Sequence, residues 1–150
     1  HLLNSDEACE NFNTTAKLDP PLASSRDMEL LREALKNGSI DVLTALHQPN
    51  SPLNKEVAFY DAAYGCEAIA DALPLYYTKL VASGLIGMSD LIKLAVRNPA
   101  KALGFEAGVI EVGKKLDFVL FDPRIKSVVE NEQSLYNGHE LSGEVRSFNF

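Results

Sequence analysis

Basic residues are scarce in this sequence of 150 residues. Fourteen lysines and arginines stand against 21 aspartates and glutamates, and the formal net charge is −7. A nucleic-acid-binding surface needs clustered basic side chains that neutralise phosphates, and an anionic membrane surface attracts the same groups. We therefore expect no nucleic acid and no membrane among the partners of this protein.

Long hydrophobic runs and cysteine motifs are also missing. No apolar run approaches the roughly 18 residues that a membrane helix needs. Cys9 and Cys66 form no spacing motif, which favours free thiols in a cytoplasmic protein over a disulfide framework. With 46% hydrophobic and 23% charged residues, the composition is typical of a globular chain that is long enough to bury a core.

The usual catalytic motifs are absent. The three histidines, His1, His47 and His139, form no HxH or HExxH pattern, and there is no CxxC. There is no GxSxG nucleophile elbow and no glycine-rich phosphate loop after a strand. From the residues alone, a single histidine such as His47 is more often a structural polar residue than a catalyst.

One short apolar run leads directly into a polar, proline-containing loop. Residues 40–46 (IDVLTAL) are mostly aliphatic and contain neither glycine nor proline, and residues 47–52 (HQPNSP) follow them. Such a run predicts a strand that is covered on both faces, as in a parallel sheet. Loops after the carboxyl ends of parallel strands carry the chemistry of α/β folds. We therefore expect any site to include residues 47–51.

Helical patterns surround this run. We predict a helix over residues 25–36, capped by Ser24 or Ser25 and ended by Asn37 and Gly38. The other predicted helices cover residues 55–64, residues 70–82, a segment capped by Ser89, and residues 99–103.

From residue 105 the pattern changes to short alternating runs between turn residues. The predicted strands are residues 108–113, 116–123 and 144–146, with a hairpin turn at Asn137-Gly138. The sequence therefore predicts two parts, residues 1–104 and a small β module over residues 105–150.

Residues 17–22 (KLDPPL) contain two adjacent prolines, which fix φ and extend the residues before them. Such a loop can hold the side chain of Asp19 in a fixed place. The alternative interpretation is a surface polyproline connector.

Taken in order, several segments resemble the C-terminal part of a dihydroorotase-type member of the amidohydrolase superfamily, and the resemblance spans nearly the whole chain. The matching segments are residues 1–3 (HLL; HHLLL in the family, at the end of the seventh barrel strand), 17–22 (KxNPPL), 30–41 (the helix and turn before the eighth strand), 46–51 (LHQPNS; DHAPHT in the family), 72–75 (ALPL) and 98–122 (NPA…G…GxxADxVLFD).

This resemblance implies an α/β fold, the C-terminal part of a (β/α)8 barrel plus a small β-sandwich module. It also implies ancestry in the zinc-dependent hydrolysis of a cyclic amide, dihydroorotate to carbamoyl-aspartate, in pyrimidine biosynthesis. In that family zinc-bound hydroxide attacks the ring carbonyl, and an aspartate at the end of the eighth strand moves the proton and helps to hold the metal. By family match, Asp19, His47 and Asn50 are substrate-binding positions.

The family's working residues are altered in this sequence. Leu46 stands at the position of the catalytic aspartate, and leucine can neither bind zinc nor move a proton. Asp19 replaces an asparagine, where an added anion should repel a carboxylate substrate. Asn50 replaces a histidine, and Ala23 an arginine. We therefore predict that this chain supplies no catalytic residue and no metal ligand, and that it binds no zinc although zinc is the family's cofactor.

Three interpretations stay open. The first is a cyclic amide hydrolase that is weakened or inactive. The second is a non-catalytic homologue that acts as a structural or regulatory partner of aspartate carbamoyltransferase, which the apolar Leu46 favours. The third is an α/β domain without any site.

Completeness is a separate expectation. A full barrel takes about 250 residues, and residues 1–3 look like the tail of a strand. The run at residues 40–46 would expose Val42, Leu43 and Leu46 unless another segment covers them. We therefore expect an N-terminal remainder of the barrel as companion, and self-association into a homo-oligomer.

Overall fold

The computed structural model describes residues 1–105, 110–113 and 117–149. Within them the chain is mainly helical, with a two-stranded antiparallel sheet near its C-terminal end. The elements are two 3₁₀ segments (Asp6–Phe12 and Thr14–Ala16), α1 (Ser25–Lys36), α2 (Pro52–Lys55), α3 (Ala72–Tyr76) continued by a π-helical turn (Tyr77–Val81), α4 (Met88–Ile92) continued by a π-helical turn (Lys93–Arg97), α5 (Asn98–Leu103), β1 (Asp117–Val128) and β2 (Glu140–Asn149).

Helix α1 has the limits that its sequence predicts. The Ser24 hydroxyl accepts a hydrogen bond from the backbone N–H of Asp27 at 3.2 Å, which satisfies a donor that the first helical turn leaves free. Gly38 follows the helix with φ of +79°, a left-handed conformation that favours glycine. The apolar stripe of the helix places Leu35 in the core.

The main core joins α1, the run at residues 40–46 and the helices between residues 72 and 97. Its buried members are all leucines: Leu35, Leu43, Leu80, Leu91 and Leu94. Burial of each leucine side chain contributes about 1.5–3 kcal/mol to folding. The helices therefore fix the position of Leu43, and with it the direction in which the run approaches the following loop.

The predicted strand at residues 40–46 does not form within the described residues. A strand needs a neighbouring strand to share its ladder of hydrogen bonds, and no described residue provides one. Helical residues bind the polar groups of the run instead: the N–H of Leu43 donates to the Leu94 carbonyl at 3.0 Å, and the Asn98 amide donates to the Asp41 carbonyl at 2.7 Å. Leu43 is buried, as a covered run requires.

Two of the predicted helices also need correction. Of the predicted segment 55–64, only Lys55 is helical, as the last residue of α2. Beyond it the N–H of Ala63 donates to the Asn54 carbonyl at 3.0 Å, and the chain folds back. Helix α4 begins at Met88 after Gly87, whose N–H is bound by the Asp90 carboxylate at 3.1 Å, so that Ser89 is not its cap. The predicted helices over residues 70–82 and 99–103 are present within a few residues of their limits.

The C-terminal sheet agrees with most of its sequence pattern. Strands β1 and β2 cover most of the predicted strands 116–123 and 144–146, and Gly138 lies in the connection between them, where its N–H donates to the Val129 carbonyl at 2.8 Å. Residues 108, 109 and 116 lie outside the described residues, and residues 110–113 form no strand. The described residues contain this one sheet, whereas a sandwich needs two. No described helix is long and apolar enough to cross a membrane.

Candidate functional site

A pocket of about 110 Å³ lies at the end of the run at residues 40–46. Its lining is mostly apolar and comes from separate parts of the chain: residues 1–4, Leu18 and Leu22, residues 43–46, Cys66, Ala68, Ala72, Leu75 and Tyr76, and Leu135 and Tyr136. The pocket therefore lies between the end of the run and the loop at residues 17–22, but none of residues 47–51, which the sequence analysis expects in any site, lines it.

Leu46 forms part of the pocket wall. It is half-buried, and its backbone has φ of +48°, in the left-handed region that a leucine rarely adopts. Such a conformation costs about 1–3 kcal/mol and persists only where the surroundings impose it, which is common at functional sites. The side chain of Leu46 thus presents hydrocarbon to the pocket.

The polar groups of the pocket are bound to one another. The hydroxyl of Tyr76 donates to the Thr44 carbonyl, and the side-chain amide of Asn4 donates to the hydroxyl of Tyr136 at 2.8 Å. Burial raises the pKa of both tyrosines above its ordinary value, and it also raises the pKa of the Cys66 thiol. All three groups are neutral near pH 7, and no lysine or arginine is among the described residues of the lining.

His47 follows Leu46 and is exposed. Its Nδ1 accepts hydrogen bonds from the backbone N–H groups of Ala68 and Ile69, at 3.1 and 3.3 Å. Because Nδ1 is an acceptor, the proton of the neutral ring is on Nε2. His47 can therefore donate a hydrogen bond to a ligand through Nε2, but that nitrogen has no lone pair with which to take a proton.

The segments that contain His47 and Cys66 lie side by side. The N–H of Gln48 donates to the Cys66 carbonyl at 3.0 Å, in a parallel bridge that pairs His47 with Cys66. Gly65 has φ of +105°, and a Cβ on it would lie 2.4 Å from the Cβ of Gln48. Only glycine fits both the conformation and the space at this position.

Asn50 is half-buried, and its side-chain amide is engaged within the loop. The amide nitrogen donates to the carbonyls of Gln48, at 3.2 Å, and Tyr64, at 2.8 Å. Since both N–H donors are used, Asn50 stabilises the loop in this structure and presents no free donor to a ligand.

Asp19 is exposed and precedes a cis peptide bond to Pro20. Its neighbour Leu18 and the nearby Leu22 both line the pocket, so that this loop borders the same space as Leu46. The structure thus brings the loop of Asp19 to Leu46, while His47 and Asn50 lie in the loop that leaves the pocket. Their substrate-binding roles stay predictions.

The residues at the family's positions do not fit a metal. Within residues 1–105, 110–113 and 117–149, no group of three or more His, Cys, Asp or Glu side chains could hold a metal ion. Leu46 offers hydrocarbon, and Nδ1 of His47 and the amide of Asn50 are already bound to the backbone. We derive no step of a reaction through a metal held by these residues.

Lys17 and Lys55 are the residues that sequence reasoning missed. Each donates two hydrogen bonds from its ammonium to backbone carbonyls of distant segments. No sequence motif marks such a lysine, because backbone carbonyls carry no residue type. The only available signal is a lysine in a segment whose neighbours are predicted to be buried.

Comparisons with known proteins show the family of this chain. The model of the amidohydrolase family matches residues 5–147. A dihydroorotase of Acetivibrio thermocellus is 38% identical over 147 residues, which cover 93% of this chain and 34% of that protein. A probable dihydroorotase-like protein of Helicobacter pylori is 34% identical over 146 residues, covering 97% of this chain and 38% of that protein.

The solved structures show a similar fold. The D-hydantoinase (dihydropyrimidinase) of a Thermus species matches with a TM-score of 0.87 and 25% identity, over 99% of this chain and 36% of that one. The chain therefore belongs to the amidohydrolase family, as a dihydroorotase-like member of it. It spans about a third of the length of the relatives that it matches.

Proposed function

We propose that this chain is the C-terminal part of a dihydroorotase-like cyclic amide hydrolase whose activity on dihydroorotate is weakened or lost. The observation that carries the proposal is the side chain of Leu46, which lines the pocket where the family has an aspartate. Loss of a general base alone costs a factor of roughly 10² to 10⁴ in rate.

The charges around the pocket add to this loss. A carboxylate substrate needs a cation or several donors to replace its water, and the described lining offers neither lysine nor arginine. Asp19 adds a negative charge to the bordering loop. Nε2–H of His47 can orient a ligand oxygen without moving a proton, but His47 is not among the described residues that line the pocket.

The same proposal extends to the architecture. Residues 1–104 are the last strands and helices of the barrel, and residues 105–150 are a C-terminal module that completes a β-sandwich. The run at residues 40–46 is then the eighth strand, and it pairs with segments outside these 150 residues. The intact protein is cytoplasmic. Support comes from the half-buried side chains of Val42 and Leu46 and from the length of the relatives.

Restoring the altered positions tests the proposal. In the intact protein that contains this chain, Leu46→Asp together with Asp19→Asn should raise dihydroorotate turnover, measured with added zinc, above that of the wild type. Asn54→Asp, an exposed change in the neighbouring helix α2, is the control and should leave turnover unchanged. A wild type that already hydrolyses dihydroorotate at the rate of its relatives would overturn the proposal.

A second candidate is a non-catalytic partner of aspartate carbamoyltransferase. It is favoured by Asn50 and His47, whose polar atoms bind the chain's own backbone at positions where the family contacts substrate. Sedimentation of the intact protein with and without the aspartate carbamoyltransferase of the same organism tests it. A joint species supports the partner role, self-association alone supports the homo-oligomer, and two unchanged species contradict both.

A further inference from the structure

Lys55 is buried although it carries an ammonium group. The residue is 8% exposed, and its Nζ donates to the carbonyls of Thr14 and Ala63, both at 2.8 Å. A charged group is retained in such a place only where hydrogen-bond acceptors replace its water. Thr14 and Ala63 are far apart in sequence, so that the ammonium joins two distant segments.

Lys17 lies on the other of these two segments, and its ammonium binds the chain just before Ala63. Its Nζ donates to the carbonyls of Phe59, at 2.8 Å, and Tyr60, at 2.7 Å. It also lies 4.7 Å from the centre of the Tyr64 ring, within the range of a cation–π contact. The carbonyl of Lys17 accepts the N–H of Gly65 at 2.9 Å, so that both ends of this residue hold the same loop.

The two lysines therefore fasten segment 14–17 to loop 54–65. Beyond helix α2 this loop has no regular secondary structure of its own, and bonds to other segments must supply its order. Asp19 comes two residues after Lys17, and Gly65 is in contact with Gln48, the residue after His47. The loop of Asp19 thus continues from segment 14–17, and the loop of His47 and Asn50 contacts loop 54–65 at Gly65.

We propose that Lys17 and Lys55 are positioning residues, which hold the loop of Asp19 and the loop of His47 and Asn50 together as one unit. The acceptors are backbone carbonyls, so that the connection does not depend on the side chains at the altered family positions. That these two loops form a site rests on the proposed function, whereas the lysine hydrogen bonds that connect them do not depend on it.

Backbone amide hydrogen exchange in the intact protein tests this inference. The variants are Lys17→Met and Lys55→Met, which keep the side-chain length and remove the charge. Lys79→Met, an exposed lysine on a helical turn, is the matched control. The amides of Ala63 and Gly65 report on the loop, those of α1 report on the core, and the ring ¹⁵N shifts of His47 report on its tautomer.

Because each variant loses two hydrogen bonds from a charged donor, both should speed exchange at Ala63 and Gly65 by at least about tenfold. Both should also move the His47 ring shifts toward those of a tautomer mixture. Exchange in α1 and the behaviour of Lys79→Met should stay as in the wild type. If Lys55→Met does not fold, Lys17→Met decides.

Unchanged exchange at both amides, or equal acceleration in α1, would overturn the inference. Normal turnover of dihydroorotate would overturn the proposed function and leave this exchange result as it stands.

Discussion

The helical core and the loops around the pocket are held together by different forces. In the core, Leu80 and Leu91 are 0% and 1% exposed and pack against other leucines. In the loops, the ammonium groups of Lys17 and Lys55 and the amide of Asn50 bind backbone carbonyls. Because the framework depends on apolar burial, residues at the family's catalytic positions can change without loss of the fold.

The largest expected effect is in the core. Leu80→Ala should lower the free energy of unfolding by about 2–5 kcal/mol, through lost burial and the cavity that it leaves. Leu30→Ala, at a leucine that is 60% exposed on α1, is the control and should change it by less than about 0.5 kcal/mol. Urea denaturation measures both, and equal losses would contradict the assignment of the core.

A smaller effect is expected where the loop meets its neighbour. Gly65→Ala places a Cβ 2.4 Å from that of Gln48 and strains a positive φ, whereas Gly84→Ala meets nothing within 4 Å and has only the strain at φ of +79°. Gly84→Ala should cost about 1–2 kcal/mol, and Gly65→Ala should cost more. The same denaturation series measures the order, and a reversed order would show that the loop approaches Gln48 less closely.

The smallest effect is the response of the loops to alkaline pH. Burial raises the pKa of the Cys66 thiol above its ordinary value of 9.0, so the folded protein keeps a proton that the unfolded chain releases. The neutral thiol therefore makes its full contribution to folding stability below pH 9.0, and this contribution is lost as pH rises through the raised pKa. Burial lowers the pKa of Lys55 below its ordinary value of 10.5. Because the unfolded chain then binds more protons than the folded protein, this group makes folding stability rise with pH up to 10.5.

Cys66→Ala should remove most of the falling part of this response. Cys9→Ala, which removes a thiol that is only partly buried and whose pKa burial also raises, should remove a smaller part. Thermal unfolding between pH 8 and pH 10 measures it. A wild type and a Cys66→Ala variant with the same slope would show that the thiol is not sheltered from water.

The sequence predicts the framework better than the loops. Helix α1 and the strands predicted at residues 116–123 and 144–146 follow from periodicity and turn residues, because these act over neighbouring positions. The observed strands are longer, at residues 117–128 and 140–149. The strand at residues 40–46 was predicted from an apolar run that is buried at Leu43, but pairing depends on neighbours that the run does not specify. The contacts of Lys17 and Lys55 join segments about forty residues apart and leave no local pattern.

The position of Leu46 at a pocket wall was predictable from the order of the segments, since a family motif marks it. The engagement of Nδ1 of His47 by Ala68 and Ile69 was not, because backbone donors are the same for every residue type.

The most direct test of the account is the initial rate of dihydroorotate hydrolysis by the intact wild-type protein in excess zinc, beside a dihydroorotase such as that of Acetivibrio thermocellus. Since Leu46 can neither ligate a metal nor accept a proton, we expect a rate lower by a factor of roughly 10² or more. A rate within about tenfold of the relative's would contradict the account, because a lost general base alone costs more than that.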